Sequence, residues 1–240
     1  MKTITIIQAR MGSTRLPGKV LMPLGEKDVL SFVVARCQKI VGVNEVIVAT
    51  SQLSQDDVIE DWCIKNEITC FRGSEKDVLD RYVKCAKIYQ PNYVMRVTSD
   101  CPFVDYEIGS DMLALAKETG VEVIDIIEKL PRGLAVEVIS YDALCRIYNV
   151  GREERHREHV TYYAYEFQDE FTRVGYKPSV NRQYPNLRIT LDTEEDYALC
   201  RAVANHFNDE LVSSAEVVSF LIETPNIANL NAHIEQKPVI

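Results

Sequence analysis

The chain has 240 residues, 46% hydrophobic and 26% charged, enough to bury a large core without disulfide or metal staples. Its net charge of −9 excludes a general nucleic-acid surface, which needs excess Lys and Arg across a broad face. Seven cysteines without a C-x-x-C pair read as reduced core residues of a cytoplasmic protein, and the apolar start ends at Gln8-Ala9-Arg10, too short for a signal peptide or membrane span.

Short β-branched runs alternate with segments of helical periodicity, predicting an α/β fold with a mostly parallel sheet and helices on both faces. Residues 3–8 read as the first strand, 29–40 as a helix with Leu30, Val33, Val34 and Cys37 on one face, and 45–50 as the second strand. A helix over 55–66 is opened by Ser54 as N-cap, followed by a strand at 68–71, a helix at 78–89, a strand at 93–98 and a helix near 108–117. Beyond Gly120 the rhythm weakens. Residues 121–127 and 134–140 are strand-like, 141–149 and 156–167 helical, 172–176 and 187–191 strand-like, and 194–206 and 213–222 helical. No linker or repeat divides the chain, so one domain over 1–240 is expected, with a less regular insertion at about 121–186. Ligands of open α/β sheets sit beyond the carboxyl ends of the strands, which directs attention to the loops after Gln8, Thr50, Phe71, Thr98 and Leu191.

The first of these, residues 8–19, carries two glycines and the cations Arg10, Arg15 and Lys19, with no acid among them, in a chain that is negative overall. Such a loop can present backbone N–H groups and charge-assisted donors to phosphate; it can also be an exposed loop whose cations pair with surface carboxylates. It is not a Walker loop, because Val20 stands where Ser or Thr is needed. After the strand at 93–98 comes Ser99-Asp100-Cys101-Pro102, where Asp100 suits either a turn cap or a hard-cation ligand. In Leu187-Arg188-Ile189-Thr190-Leu191-Asp192-Thr193-Glu194-Glu195-Asp196, helix capping alone accounts for every acid. Ser74 and Asp77 are spaced as a capping pair, and Asp77–Arg81 as an i,i+4 ion pair.

The string I-I-Q-A-R-M-G-S-T-R-L-P-G-K-V-L resembles the N-terminal signature of the cytidylyltransferases that make CMP-activated acidic sugars, closest to the spore-coat polysaccharide branch. The likeness runs through nearly the whole chain and implies a Rossmann-like nucleotidyltransferase fold, with a mostly parallel mixed sheet. It implies that Arg10, Ser13 and Lys19 hold the CTP triphosphate with Arg15 assisting, Ala9 and Gly12 belonging to the same nucleotide loop. It also implies that Asp100 of D-x-P and Asp192 of L-D-T-x-E-D-Y share one Mg²⁺, so that Arg10, Lys19, Asp100 and Asp192 form the catalytic set. The segment G-S-x-x-D-V-L-x-R-Y assigns Arg72, Gly73 and Ser74 to the nucleoside, with Asp77 and Arg81 of the same motif as further candidates. P-x-G-x-x-x-E-V and R-E-H-V-T assign Glu137, Arg157 and His159 to the acceptor sugar, with Ala135 standing where relatives often carry Asp. A zinc site at His156 and His159 lacks a third ligand. The expected reaction joins CMP from CTP to a sugar or sugar acid with release of pyrophosphate, by a homodimer that meets neither nucleic acid nor membrane. Two rivals remain: transfer from another nucleoside triphosphate, and a catalytically silent sugar- or nucleotide-binding protein.

Overall fold

A computed structural model describes residues 1–236. Its centre is β1 (Thr3–Gln8), which pairs in parallel with β4 (Glu45–Ser51) on one side and β6 (Tyr93–Thr98) on the other. Outside β4 lies β5 (Thr69–Gly73), also parallel. Beyond β6 the sheet becomes mixed: β8 (Glu137–Ser140) runs antiparallel to β6, β7 (Val123–Ile126) antiparallel to β8, and the edge strand β9 (Arg173–Tyr176) parallel to β7. The order is therefore β5-β4-β1-β6-β8-β7-β9, and the less regular part of the sequence supplies three strands of the main sheet. A separate two-residue ribbon, β2 (Pro23–Leu24) with β3 (Lys27–Asp28), follows the first loop.

The pleat sorts the strand residues between two cores. Ile7, Val48, Met95 and Val97 face α1 (Val29–Lys39) and α4 (Tyr106–Thr119), where Val33, Cys37, Ile108 and Met112 complete the first core, joined by Cys63 of α2 (Asp57–Lys65). Ile4, Ile6, Ile47 and Val94 face the opposite side, against α3 (Val78–Tyr89) and α5 (Tyr141–Val150). Two short helices, α6 (Glu154–Glu158) and α7 (Tyr162–Glu166), flank that face. A third core gathers α8 (Glu194–Phe207) and α9 (Ser214–Glu223) onto Leu16, Phe103, Leu134, Ile189 and Leu191, the segments that surround the first loop. The helix α10 (Pro225–Ala228) closes the described chain. Capping fixes several starts: Asp77 accepts from the Asp80 N–H, and Thr193–Asp196 and Ser213–Glu216 form capping boxes.

Four expectations are corrected. Ser54 caps nothing: it opens a 3-10 turn over Ser54–Asp56, and α2 starts at Asp57. Of residues 134–140 only Glu137–Ser140 joins the sheet. Residues 187–191 are not a strand; they touch the 131–134 segment through one bridge, Arg132 with Arg188. The helix expected over 156–167 is broken between α6 and α7, where Val160 holds a positive φ of 48°.

Candidate active site

Strand order reverses at β1: the chain runs outward through β4 and β5 on one side and then returns to β6 on the other, so the crevice beyond Gln8 and Thr98 is a switch point of the kind where open α/β sheets bind ligands. The first loop is pinned into this crevice. Ala9 donates to the Ala49 carbonyl at 3.1 Å, and the Met11 N–H to the buried Asp56 carboxylate at 2.7 Å, which also accepts from Ser51. Gly18 turns the chain with φ of 72°, a conformation that favours glycine, and delivers Lys19 inward.

Lys19 is the junction. Its Nζ donates to Asp100 at 3.1 Å, to Asp192 at 2.8 Å and to the Leu191 carbonyl at 2.7 Å. Burial alone would lower its pKa, but the charges of Asp100 and Asp192 carry it above the ordinary lysine value. Asp192 in turn meets Arg15 at 3.0 Å and Arg188 at 3.0 Å. Burial would raise the Asp192 carboxyl, yet Lys19, Arg15 and Arg188 together hold it below the usual carboxylate range. Asp100 is oriented by the Thr98 hydroxyl at 2.5 Å, and its carbonyl accepts from the Leu191 N–H at 2.8 Å and the Thr190 hydroxyl at 3.0 Å. Arg15, Lys19, Asp100 and Asp192, from the beginning, middle and far end of the chain, therefore converge on one point. Arg10 stands exposed in the same loop and forms no ion pair among the described residues. Ser13 accepts from the Leu16 N–H at 3.3 Å, and Gly12 packs so closely on Gln55 that a Cβ would lie 2.8 Å from its amide nitrogen.

The other expected residues are distributed differently. The Arg72 guanidinium is committed to the Ser51 and Leu53 carbonyls and to Asp57 and Glu60 of α2, so it ties α2 to the sheet. Gly73 is buried at the end of β5, and Ser74 accepts from the Asp77 N–H at 3.0 Å. The Asp77–Arg81 pair does not form; Asp77 is bound by both forks of Arg157. Arg157 also donates to the Tyr148 and Gly151 carbonyls and lies 4.6 Å from the centre of the Tyr148 ring. That guanidinium tethers α3 to α5, leaving it little capacity for an acceptor. Glu137 sits at the head of β8, 2.8 Å from Arg96 of β6 and bonded by the Thr161 hydroxyl, with Gln8 3.2 Å from Arg96. His159 borders this group; burial lowers its pKa, helped by Arg96 and opposed by Glu158 and Glu137. His156 turns away to Glu166 at 2.6 Å, and among the described residues no group of three or more His, Cys, Asp or Glu is arranged to hold a metal.

Sequence reasoning missed Arg96, Arg188, Thr98 and Thr161. The first two did leave a signal, a charged residue inside an apolar run, in Y-V-M-R-V-T and L-R-I-T-L. The hydroxyls left none, because a threonine at a strand end, as Thr98, or before a helix, as Thr161, is unremarkable until its neighbour is known.

The cytidylyltransferase family model matches residues 4–223. The chain is a member of the cytidylyltransferase family. Its relatives include the spore coat polysaccharide biosynthesis protein SpsF of Bacillus subtilis, 36% identical over 93% of this chain and 95% of SpsF. An uncharacterised protein of Methanocaldococcus jannaschii is 34% identical over 99% of this chain and 97% of its own length. Among solved structures, a cytidylyltransferase from Leptospira borgpetersenii superposes with a TM-score of 0.89 at 30% identity, covering 99% of this chain and all of that one. A CMP-Kdo synthetase complexed with CTP shares the fold alone, with a TM-score of 0.68 at 15% identity over 86% of this chain and all of its own. The chain has the nucleotidyltransferase fold, and no helix among its described residues is long and apolar enough to cross a membrane.

Proposed function

We propose that the chain transfers CMP from CTP to a hydroxyl of a sugar or sugar acid and releases pyrophosphate, in the making of a surface or spore-coat polysaccharide. One observation carries this reading: at the β1/β6 switch point, under a cationic loop, the Lys19 ammonium is shared by Asp100 and Asp192. Two carboxylates so near each other with the Leu191 carbonyl beside them are an oxygen-donor set that fits Mg²⁺, which takes one or two carboxylates and completes its shell with phosphate and water. When bound, that ion would neutralise triphosphate charge and stabilise the departing pyrophosphate. Arg10, Arg15 and Lys19 face the same phosphates and offset the repulsion that a protein of charge −9 exerts on a polyanion.

In the reaction the acceptor oxygen attacks the α-phosphorus in line, the bond to the β-phosphate breaks, and pyrophosphate leaves with the electron pair; the hydroxyl proton passes to solvent or a nearby base. Positioning and charge stabilisation supply most of the acceleration. Glu137, Thr161 and His159 stand on the acceptor side, while Arg157, tied to Asp77, shapes that side by holding helices rather than by touching sugar. The working unit is taken as a homodimer, which light scattering checks directly. The deciding experiment incubates the protein with each nucleoside triphosphate and Mg²⁺, reads thermal stabilisation, and then measures pyrophosphate release with a panel of sugar acids. Stabilisation by CTP above the others and release with at least one acceptor is expected. Preference for another triphosphate would change the donor; stabilisation without release by any acceptor would favour a silent binding protein.

A further inference from the structure

Arg81 of α3 is 2% exposed, and its Nε and Nη1 are buried without a hydrogen-bond partner. A comparison with Arg36, another buried guanidinium, shows the contrast. Arg36 donates Nε to the Val104 carbonyl and Nη1 to the Glu210 carbonyl, each at 2.7 Å, and lies 6.0 Å from the Phe103 ring centre and 5.2 Å from that of Tyr106. Arg81 has neither carbonyls nor rings, and among the described residues no carboxylate pairs with it. Of the carboxylates whose charge reaches it, Asp56 is consumed by Ser51 and the Met11 N–H, and Glu75 forms no ion pair with it. Burial depresses the Arg81 pKa; Tyr82 opposes this, and the Arg10 guanidinium is close enough to depress it further. The stem of Arg81 runs beneath Gly73, where a Cβ would lie 3.0 Å from its Cγ. Two guanidinia, one buried beside the carboxyl end of β5 and one exposed in the first loop, thus lie close enough to repel each other.

A buried cation with idle donors and a like-charged neighbour is unfavourable by itself and becomes favourable once an anion with several acceptor oxygens lies between the two. A neutral base or ribose would satisfy donors but leave the repulsion standing. We propose that Arg81 is a phosphate-binding residue of the nucleotide site and completes, with Arg10, a two-guanidinium clamp on the triphosphate. The clamp rests on the nucleotidyl-transfer reading and adds to it a residue whose burial gives it no other employment.

The test compares wild type with Arg81→Met, which keeps an unbranched stem and removes the charge, using CTP, cytidine and inorganic tripolyphosphate as probes in titration calorimetry. Binding of CTP and tripolyphosphate should weaken by about tenfold to a hundredfold, the range for a lost charge-assisted bond, with cytidine unchanged. Meanwhile the ligand-free variant should melt no lower than wild type, since an uncompensated buried charge has been removed. A purely structural arginine gives the reverse, a lower melting temperature with CTP affinity intact, and that result overturns the clamp. Equal losses for cytidine and CTP overturn the phosphate assignment. If wild type binds tripolyphosphate through Arg81 but no nucleoside triphosphate, the transferase reading fails and the anion site survives. Should Arg81→Met not fold, a structure of wild type with CTP decides. A guanidinium nitrogen about 3 Å from a phosphate oxygen supports the clamp, and none within about 4 Å overturns it.

Discussion

Lys19 occupies, in the protein alone, the position between two acids that a divalent ion would need. Arg15 and Arg188 also hold Asp192, whereas Asp100 has only Lys19 and the Thr98 hydroxyl against its charge. Replacing Lys19 by Met should therefore cost about 2 kcal/mol, below the usual figure for breaking a buried pair because Asp100 is 26% exposed. The diagnostic part is the response to metal. Without nucleotide, millimolar Mg²⁺ should raise the melting temperature of Lys19→Met by several degrees and that of wild type hardly at all; equal responses would sink the idea that ammonium and cation compete for one place. Asp100→Asn should fold normally, as Lys19 then still has Asp192, while pyrophosphate release falls by about a hundredfold or more, the scale expected when charge stabilisation at the transferring phosphorus is lost. Retained turnover in that variant would remove Asp100 from the chemistry. At this scale the sequence was most legible where types and spacing were both distinctive: Arg15, Lys19, Asp100 and Asp192 were singled out by their motifs. The commitments of Arg72 and Arg157 were not legible, because a guanidinium's partner is chosen by tertiary packing, and Asp57, Glu60 and Asp77 reached them first.

Elements were legible where one face is buried and the pleat or the helical turn repeats it. The helix α3 and the strands β1 and β6 follow their expected bounds residue for residue, since α3 turns one apolar face to the second core and the two strands alternate between the two cores. L-R-I-T-L alternates as well, yet it is no strand. Arg188 and Thr190 are buried along with Ile189 and Leu191, and the backbone bonds of this segment go to Arg132 and to Asp100 instead of a ladder. The broken helix has a similar cause: Thr161 is drawn to Glu137 and His156 to Glu166, and β-branched Val160, fully buried, takes up the strain in the left-handed region. Gly133 makes the irregular segment possible. It holds φ of 100°, and a Cβ there would lie 2.6 Å from the Ile189 carbonyl oxygen. Gly133→Ala should thus lose at least about 2 kcal/mol in urea unfolding. It should also lower turnover more than that loss explains, because pushing Ile189 away displaces Asp192 from Lys19. A variant with wild-type stability would show that the loop yields without cost.

Across the molecule, the acids of the site belong to different cores. Asp100 follows β6 of the central sheet, whereas Asp192 precedes α8, whose apolar face packs with α9 in the third core. The α/β rhythm announced the parallel half of the sheet; the strands of the mixed half were read at 121–127, 134–140 and 172–176, but runs of four residues repeat too few times to fix their bounds or their direction. Nor did it show what holds the C-terminal helices against the sheet. Three contacts do so: Arg182 and Ser214 on Asp105, the Tyr106 hydroxyl on the Leu211 carbonyl, and Arg36 between Val104 and Glu210. Arg36 is the most deeply placed, fully buried, with burial pulling its pKa down to about 10. Removing its charge relieves desolvation but leaves two carbonyls without donors, at about 1–3 kcal/mol each. The carbonyls should dominate, so Arg36→Met is expected to cost about 2 kcal/mol net. Because the lost bonds join the helical layer to the loop after Asp100, the damage should be regional: amide exchange should accelerate in α9 and residues 208–212 while β1 and β6 keep their protection. Exchange that rises evenly over sheet and helices would mean that Arg36 stabilises the molecule as one unit and leaves the approach of Asp192 to Asp100 to other contacts.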